Sequence, residues 1–218
     1  MSKIKVYPTL IDTYFGFLEK DYISFWDLIK KINRIYEPPS EPMMKGKAFN
    51  FLVDQLVEGN TLLVEYKDEV PLYRIEFEGE AYVFSKEIAD TILYQVEGAT
   101  TQVFCKADIP TIYGDVELYG YADYVLMDTV FELKTTSTLV WPKFSNSVQH
   151  RAYLYALRAN GIKVSRAAYL VTDFSTVFVE DYYWTDKIKS ELSAAISQFL
   201  GFVEKHRDLI TDKKVLGL

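Results

Sequence analysis

Three short segments carry side chains whose types and spacing could do chemistry together. Asp123 lies in Gly120-Tyr121-Ala122-Asp123-Tyr124-Val125, Glu132 and Lys134 lie in Val130-Phe131-Glu132-Leu133-Lys134-Thr135, and Gln149 and Tyr153 follow downstream. The first two segments alternate as strands do, with Met127-Asp128-Thr129 as a short turn between them. Alternate residues of an extended chain point the same way, so Glu132 and Lys134 share one face. Antiparallel pairing of the two strands would bring Asp123 to that face, beside Glu132. Two carboxylates converging on one point suit a hard divalent cation such as magnesium. A nearby ammonium would then neutralise a phosphate held by the same metal. The chemistry indicated is metal-assisted hydrolysis of a phosphodiester.

Acid-x-Lys triplets are common on strands that merely present a solvated face. Here Tyr124, Val125, Leu126, Val130, Phe131 and Leu133 mark both segments as core strands. A charge embedded in such a strand is costly unless it is paired or metal-bound.

These residues resemble the PD-(D/E)XK nuclease superfamily, and within it the RecB-like exonuclease branch. Gly120-Tyr121-Ala122-Asp123 is similar to that branch's Gly-x-x-Asp strand, and Glu132-Leu133-Lys134-Thr135-Thr136 to its Asp/Glu-x-Lys strand. Gln149-His150-Arg151-Ala152-Tyr153 is similar to its helix opening with Gln and carrying Tyr four residues on. The resemblance spans roughly residues 45–172. It implies an α/β fold with a restriction-endonuclease-like core, a mixed β-sheet flanked by α-helices. It also implies that Asp123, Glu132 and the backbone carbonyl of Leu133 hold one or two Mg2+ (or Mn2+) ions. Lys134 would orient the attacking water or stabilise the charge building on phosphorus. The implied partner is DNA, single- or double-stranded, degraded from its ends in recombination, repair, phage or defence processes.

One element departs from the pattern. The branch has an upstream helix with Gly and, four residues later, a His or Glu that ligates metal. Met44-Lys45-Gly46-Lys47-Ala48-Phe49-Asn50 has the glycine, but Asn50 stands at the ligand position. An amide carbonyl is a weaker donor to magnesium than a carboxylate, and Asp54, one turn on, is the alternative ligand. The departure keeps a second reading open. In it, the chain binds nucleic acid or a partner protein without cutting, as a subunit of a larger helicase–nuclease or recombination assembly.

With 218 residues and 49% hydrophobic content, the chain can bury one real core. The expected division is an N-terminal helical segment and Pro-rich loop over 1–42, a catalytic core over 43–183 and a C-terminal helix over 184–218. The single Cys105 excludes a disulfide framework, a cysteine-ligated zinc site and the four-cysteine iron–sulfur cluster that some RecB-like nucleases carry. A lone buried thiol fits a reducing cytoplasm. No apolar run approaches ~20 residues, and the start Met1-Ser2-Lys3-Ile4-Lys5 lacks a signal peptide's apolar stretch. A cytoplasmic location without membrane contact is expected.

The net charge of −7 argues at first against a polyanionic partner, but the charge is unevenly distributed. From Asp54 to Glu132 acids dominate, opposed only by Lys67, Arg74, Lys86 and Lys106. From Leu133 to Thr172 there is no acid, and Lys134, Lys143, Arg151, Arg158, Lys163 and Arg166 all fall here. Charge runs are usually solvated faces. This one begins at the candidate site, so Lys143, Arg151 and Arg158 are expected to contact phosphates.

The elements that must position these groups follow from periodicity and punctuation. Ser24 caps a helix to about residue 35, residues 37–42 form a Pro-rich break, and a second helix runs over 43–57. Strands are expected at 61–66, 72–77 and 81–84, with a turn at Glu78-Gly79-Glu80, then a helix from Ser85 to about 94. Strands at 101–107, 116–126 and 129–135 form a hairpin series, followed by a loop over 136–147 and the motif helix over 147–160, with Gly161 as its cap. Two more strands at 167–172 and 176–182 and a long helix over 186–210 complete the chain. On the motif helix, Gln149 and Tyr153 are an i, i+4 pair on one face. Turned toward the hairpin, they could bond a phosphate or hold Lys134. His150 points elsewhere and is expected at the surface or facing a phosphate.

Overall fold

The computed structural model describes residues 3–19, 23–138 and 141–218. Met1 and Ser2 of the amino-terminal stretch, and Leu139 and Val140 of the expected 136–147 loop, lie outside the described residues. In chain order the elements are β1 (Lys5–Val6), α1 (Pro8–Leu18), α2 (Phe25–Ile32), α3 (Glu41–Val57), β2 (Leu63–Lys67), β3 (Val70–Phe77), β4 (Glu80–Ser85) and α4 (Lys86–Val96). They continue with β5 (Thr100–Thr111), β6 (Gly114–Leu126), β7 (Thr129–Thr135), α5 (Gln149–Ala159), β8 (Arg166–Thr172), β9 (Val177–Tyr183), α6 (Ile188–Lys205) and α7 (Lys213–Leu216).

The central sheet runs β1-β6-β7-β8-β9, with β5 paired along the other edge of β6. It is mixed: β1 lies parallel to β6, β7 parallel to β8, and the remaining pairs are antiparallel. A parallel pair needs a crossover, and the β7-to-β8 connection supplies one through α5. That requirement seats α5 on the sheet beside β7. A three-stranded antiparallel sheet, β2-β3-β4, stands apart.

Each face of the central sheet carries its own core. On one, Val6, Leu118 and Val130 of the sheet pack with Leu10 and Ile11 of α1, Leu154 and Leu157 of α5, and Ile196 and Phe199 of α6. On the other, Tyr124, Phe131, Leu133 and Leu170 meet Phe49, Leu52 and Val53 of α3, Ile92 of α4, and Tyr73 and Phe84 of the small sheet. Burying each such side chain contributes about 1.5–3 kcal/mol. The first five residues of β7 are all buried, so this strand is clamped from both faces. The fold is thus the α/β arrangement expected, a mixed sheet flanked by helices.

Several boundaries differ from expectation for physical reasons. α1 has no side-chain cap and no acid in its first turn, so Pro8 at its start is its only local signal. Pro42 does not extend the break but sits in the first turn of α3, where its missing N–H costs nothing. The long C-terminal helix stops at Lys205, and a 3-10 turn and α7 follow. Ser24 caps α2 in a reciprocal capping box with Asp27, as its spacing suggests.

Candidate functional site

The site lies where two paired strands part. β6 and β7 pair only at Tyr124↔Phe131, Val125↔Val130 and Leu126↔Thr129. Beyond Tyr124 they separate, β6 continuing with β5 and β7 with β8. The next residue on each side of the fork is Asp123 and Glu132. Asp123 bridges the opening with its side chain, accepting the Leu133 N–H at Oδ2 (2.9 Å). In an extended strand the carbonyl of a residue turns to the same edge as its N–H, so the Leu133 carbonyl also faces the gap.

Glu132 is the hub of the polar network. Its Oε1 accepts from Lys134 Nζ at 2.8 Å and from Gln149 Nε2 at 2.6 Å, and Gln149 Nε2 lies 3.2 Å from the Tyr153 hydroxyl. Gln149 therefore meets Glu132 rather than Lys134. The Oε2 of Glu132 is buried with no hydrogen-bond partner. Among the described residues three buried side-chain atoms lack a partner, and a second is Asn50 Oδ1. Two of the three thus belong to residues expected to ligate metal. A buried acceptor without a donor is unusual enough to need a cause, and a cation supplies one.

Electrostatics point the same way. Burial and the Glu132 charge raise the Asp123 carboxyl well above the usual carboxylate range, against the opposing pull of Lys134. Burial pushes the Lys134 ammonium down, but the Glu132 and Asp123 carboxylates outweigh it and leave its pKa above the ordinary value. A buried and a half-buried acid facing one cation are under-compensated, a state that a divalent ion would relieve. Among the described residues no three His, Cys, Asp or Glu side chains converge. The candidate donor set is two carboxylates, with the Leu133 and Asn50 carbonyl oxygens as further candidates. It fits magnesium, which keeps several waters and takes few protein ligands.

Two glycines of the motifs have packing reasons. A Cβ at Gly120 would lie 3.0 Å from Tyr153 Cε1 and 3.4 Å from Pro8 Cδ, so only glycine admits the Tyr153 ring here. A Cβ at Gly46 would lie 2.5 Å from Thr135 Oγ1. α3 therefore rests directly on the end of β7, and Asn50 shares that helix face one turn on. Asp54, one further turn along, accepts from the Tyr124 hydroxyl at 2.6 Å, and burial raises its carboxyl. Its oxygen is engaged by a phenol, whereas that of Asn50 is free of protein partners.

The basic segment divides. Lys143 reaches the end of β7, its ammonium contacting Thr136 Oγ1 and the Thr138 carbonyl. Arg151 braces its own loop through the Ser147 and Ser145 carbonyls and pairs with Glu191 at 3.2 Å. Arg158 donates to the Val164 carbonyl and stacks 4.3 Å over Trp184, at the far end of α5 from Gln149. His150 is not at the surface. It is buried and stacked 4.1 Å from the Tyr182 ring, and burial with the Arg151 charge lowers its pKa to about 3. The apolar sheet beneath α5 claims it.

Asp12 is a positioning acid that the sequence did not reveal. It accepts from Ser147 Oγ at 2.7 Å and from the Val148 N–H at 2.5 Å, fixing the start of α5 and with it Gln149. Its one signal was a lone acid in the apolar run Leu10-Ile11-Asp12-Thr13-Tyr14. A cleft of about 570 Å3, lined by Lys45, Thr135, Thr136 and Phe174 among others, holds neither carboxylate. Chemistry rather than cavity size identifies the site.

No protein-family model matches this sequence, and no curated protein matches it. Solved structures share its fold. SSO0001 is 13% identical, with 93% of this chain and 78% of that chain covered and a TM-score of 0.50. A "putative exonuclease" from Eubacterium rectale is 12% identical, with 97% and 83% covered and a TM-score of 0.52. At such identities the likeness is one of fold. Among the described residues no helix is long and apolar enough to cross a membrane.

Proposed function

We propose that this protein is a metal-dependent nuclease that hydrolyses DNA phosphodiester bonds, acting from strand ends. The observation that carries the reading is the pairing of half-buried Asp123 with buried Glu132 at the fork of β6 and β7, with Glu132 Oε2 unpartnered and Lys134 alongside. The likeness in fold to a structure described as a "putative exonuclease" adds support. Asp123, Glu132, the Leu133 carbonyl and Asn50 would hold Mg2+ or Mn2+. Such an ion, if bound there, would supply a lowered pKa for a coordinated water and neutralisation of phosphate charge.

The remaining work falls to the chain's own groups. Lys134 sits beside the carboxylates as a fixed positive charge for the phosphate oxygens as negative charge accumulates. Gln149 orients the Glu132 carboxylate, and Tyr153 supports Gln149. Asp12 holds the helix that carries both. Lys143, at the end of β7, is a phosphate contact outside this group, and Arg151 and Arg158 extend the basic face along α5. The cell compartment we propose is the cytoplasm.

The amide of Asn50 at a ligand position favours a second reading, a nucleic-acid-binding subunit of a larger assembly without cleavage of its own. Incubation with end-labelled linear and circular DNA in magnesium, manganese or EDTA separates the two. Shortening of linear DNA alone, abolished by EDTA, is the expected result. Nicked circles would make it an endonuclease, and intact DNA under all conditions would overturn the enzymatic reading.

A further inference from the structure

The edge of β6 that leads to Asp123 is open. β5 pairs along one edge of β6 from Gly114 to Val125. On the opposite edge β1 holds Glu117 and Leu118, and β7 begins to pair only at Tyr124. Between them residues 119–123 have no strand partner on that edge among the described residues. A cleft of about 270 Å3 occupies the interval, lined by Tyr7, Arg34, Tyr36, Tyr119, Tyr121 and Tyr153 among others. Tyr153 ties the cleft to Glu132 through Gln149, and Asp123 lies two residues beyond Tyr121 on the same strand.

Its lining is rich in tyrosine rings with Arg34 among them, and two further cations lie over those rings. The Tyr7 and Tyr119 rings lie 6.1 Å apart, and the Tyr7 and Tyr36 hydroxyls 3.3 Å apart. The Arg34 guanidinium stands 5.3 Å over Tyr7, Lys31 5.3 Å over Tyr36 and Lys214 6.0 Å over Tyr119. Asp212 pairs with Arg34 and leaves the other two cations uncompensated by it. Tyr36 and Tyr121 are 58% and 57% exposed, although both are large aromatic side chains. Tyr121 is buttressed by Phe104, ring centroids 5.1 Å apart, so its orientation is fixed. Exposed, braced rings flanked by positive charge match what unpaired nucleotides require: π-faces for the bases and cations for the phosphates. A duplex keeps its base faces stacked inside and offers none to such rings.

We infer that this cleft is a stacking subsite for the unpaired bases of a nucleic-acid strand whose backbone continues to Asp123 and Glu132. Resting on the nuclease reading above, it specifies the substrate as one with a single-stranded segment. Bases stack on Tyr121 and Tyr36, and phosphates run past Lys31, Arg34 and Lys214.

The test is binding of a fluorescein-labelled oligothymidylate to the intact protein in EDTA, read by anisotropy, so that cleavage plays no part. Tyr121→Ala and Tyr36→Ala are each expected to weaken binding about ten-fold, the scale of one lost base stack, while the Phe variants stay within about two-fold. Tyr94→Ala, an exposed tyrosine on α4 (81% exposed), serves as the control and should leave binding unchanged. A blunt hairpin duplex should bind more weakly than the oligothymidylate. Absence of oligothymidylate binding, binding that ignores both tyrosines, or equal affinity for the duplex would each overturn the inference. Cleavage in magnesium alongside tyrosine-independent binding would sink the cleft and spare the nuclease. Tyrosine-dependent binding without cleavage in magnesium would do the reverse.

Discussion

Two buried glutamates stand on either side of Tyr169, one strand apart each way. The ladder aligns Glu132 of β7 with Tyr169 of β8, and Tyr169 with Glu180 of β9. Glu132 is 8% exposed and Glu180 3%. Their surroundings differ in kind. Glu180 has both oxygens engaged, accepting from the Lys143 N–H (2.7 Å), the Phe144 N–H (3.0 Å) and the Tyr182 hydroxyl (2.9 Å). Glu132 has one oxygen engaged and one bare, with the Asp123 carboxyl nearby. A buried acid whose lone pairs are all used holds structure together, and here it ties down the loop after β7. A buried acid left incomplete is one that a cation would complete.

The largest effect should come from neutralising the incomplete acids. Glu132→Gln or Asp123→Asn should lower DNA cleavage by more than about 10³-fold, beyond the 10²–10³ scale of a single electrostatic stabiliser. Neither should destabilise the metal-free fold by more than about 1 kcal/mol, because each removes like-charge repulsion. Asp123 also fixes a sign in pH. Between the ordinary value of 3.8 and its raised folded value, the folded protein keeps a proton that the unfolded chain has released. Metal-free stability should therefore fall as pH rises through that window, and Asp123→Asn should flatten the curve. Near-normal cleavage by either variant would dissolve the contrast between the two glutamates.

Lys134→Ala comes next, with a rate loss on the order of 10²–10³. Magnesium affinity measured by calorimetry should persist. Loss of the metal with the lysine would make Lys134 a structural partner of Glu132 instead.

Glu180→Gln should give the opposite pattern. Its amide turns donors toward donors, a loss of about 1–3 kcal/mol. In a chain of this size that lowers Tm by roughly 2–4 °C per kcal/mol. Magnesium affinity should be unchanged. A Glu180 variant that lost metal but kept its Tm would show the roles of the two acids to be reversed.

The effect that is smallest at neutral pH belongs to His150, buried against the Tyr182 ring. From its ordinary 6.5 down to about 3 the unfolded chain takes up a proton that the folded protein refuses. Stability should therefore decline as pH falls across that range, and His150→Phe should remove that part of the decline. Urea unfolding at pH 7, 5 and 4 reads it directly.

Much of this site was legible in the chain because its signals are local. Alternation marked the strands carrying Asp123, Glu132 and Lys134, and i, i+4 spacing put Gln149 and Tyr153 on one face. Strand β7 falls at residues 129–135, as read. What stayed hidden involved partners remote in sequence. Asp12 sits in a helix without a cap signal and acts on residues more than a hundred positions away. Arg151 and Arg158 read as phosphate contacts, and the partners that also hold them, Glu191 and Trp184, come from the C-terminal part of the chain. His150 read as exposed because nothing in its own helix reveals the ring of Tyr182.

By itself, then, the sequence determined which groups exist and how each element orients them: two acids and a lysine on core strands, a glutamine on the following helix, glycines where packing is tight. Tertiary structure decided their state of completion. The fork between β6 and β7 exposes Asp123, Glu132 and the Leu133 backbone to one gap, and the same missing pairing opens the aromatic cleft beside it. Two glutamates that look alike in the chain come to differ because one has both oxygens met, by two N–H groups of a distant loop and a phenol of its own strand, and the other keeps one oxygen bare. Satisfaction of a buried charge depends on atoms brought together across the fold, and periodicity along the chain does not encode it.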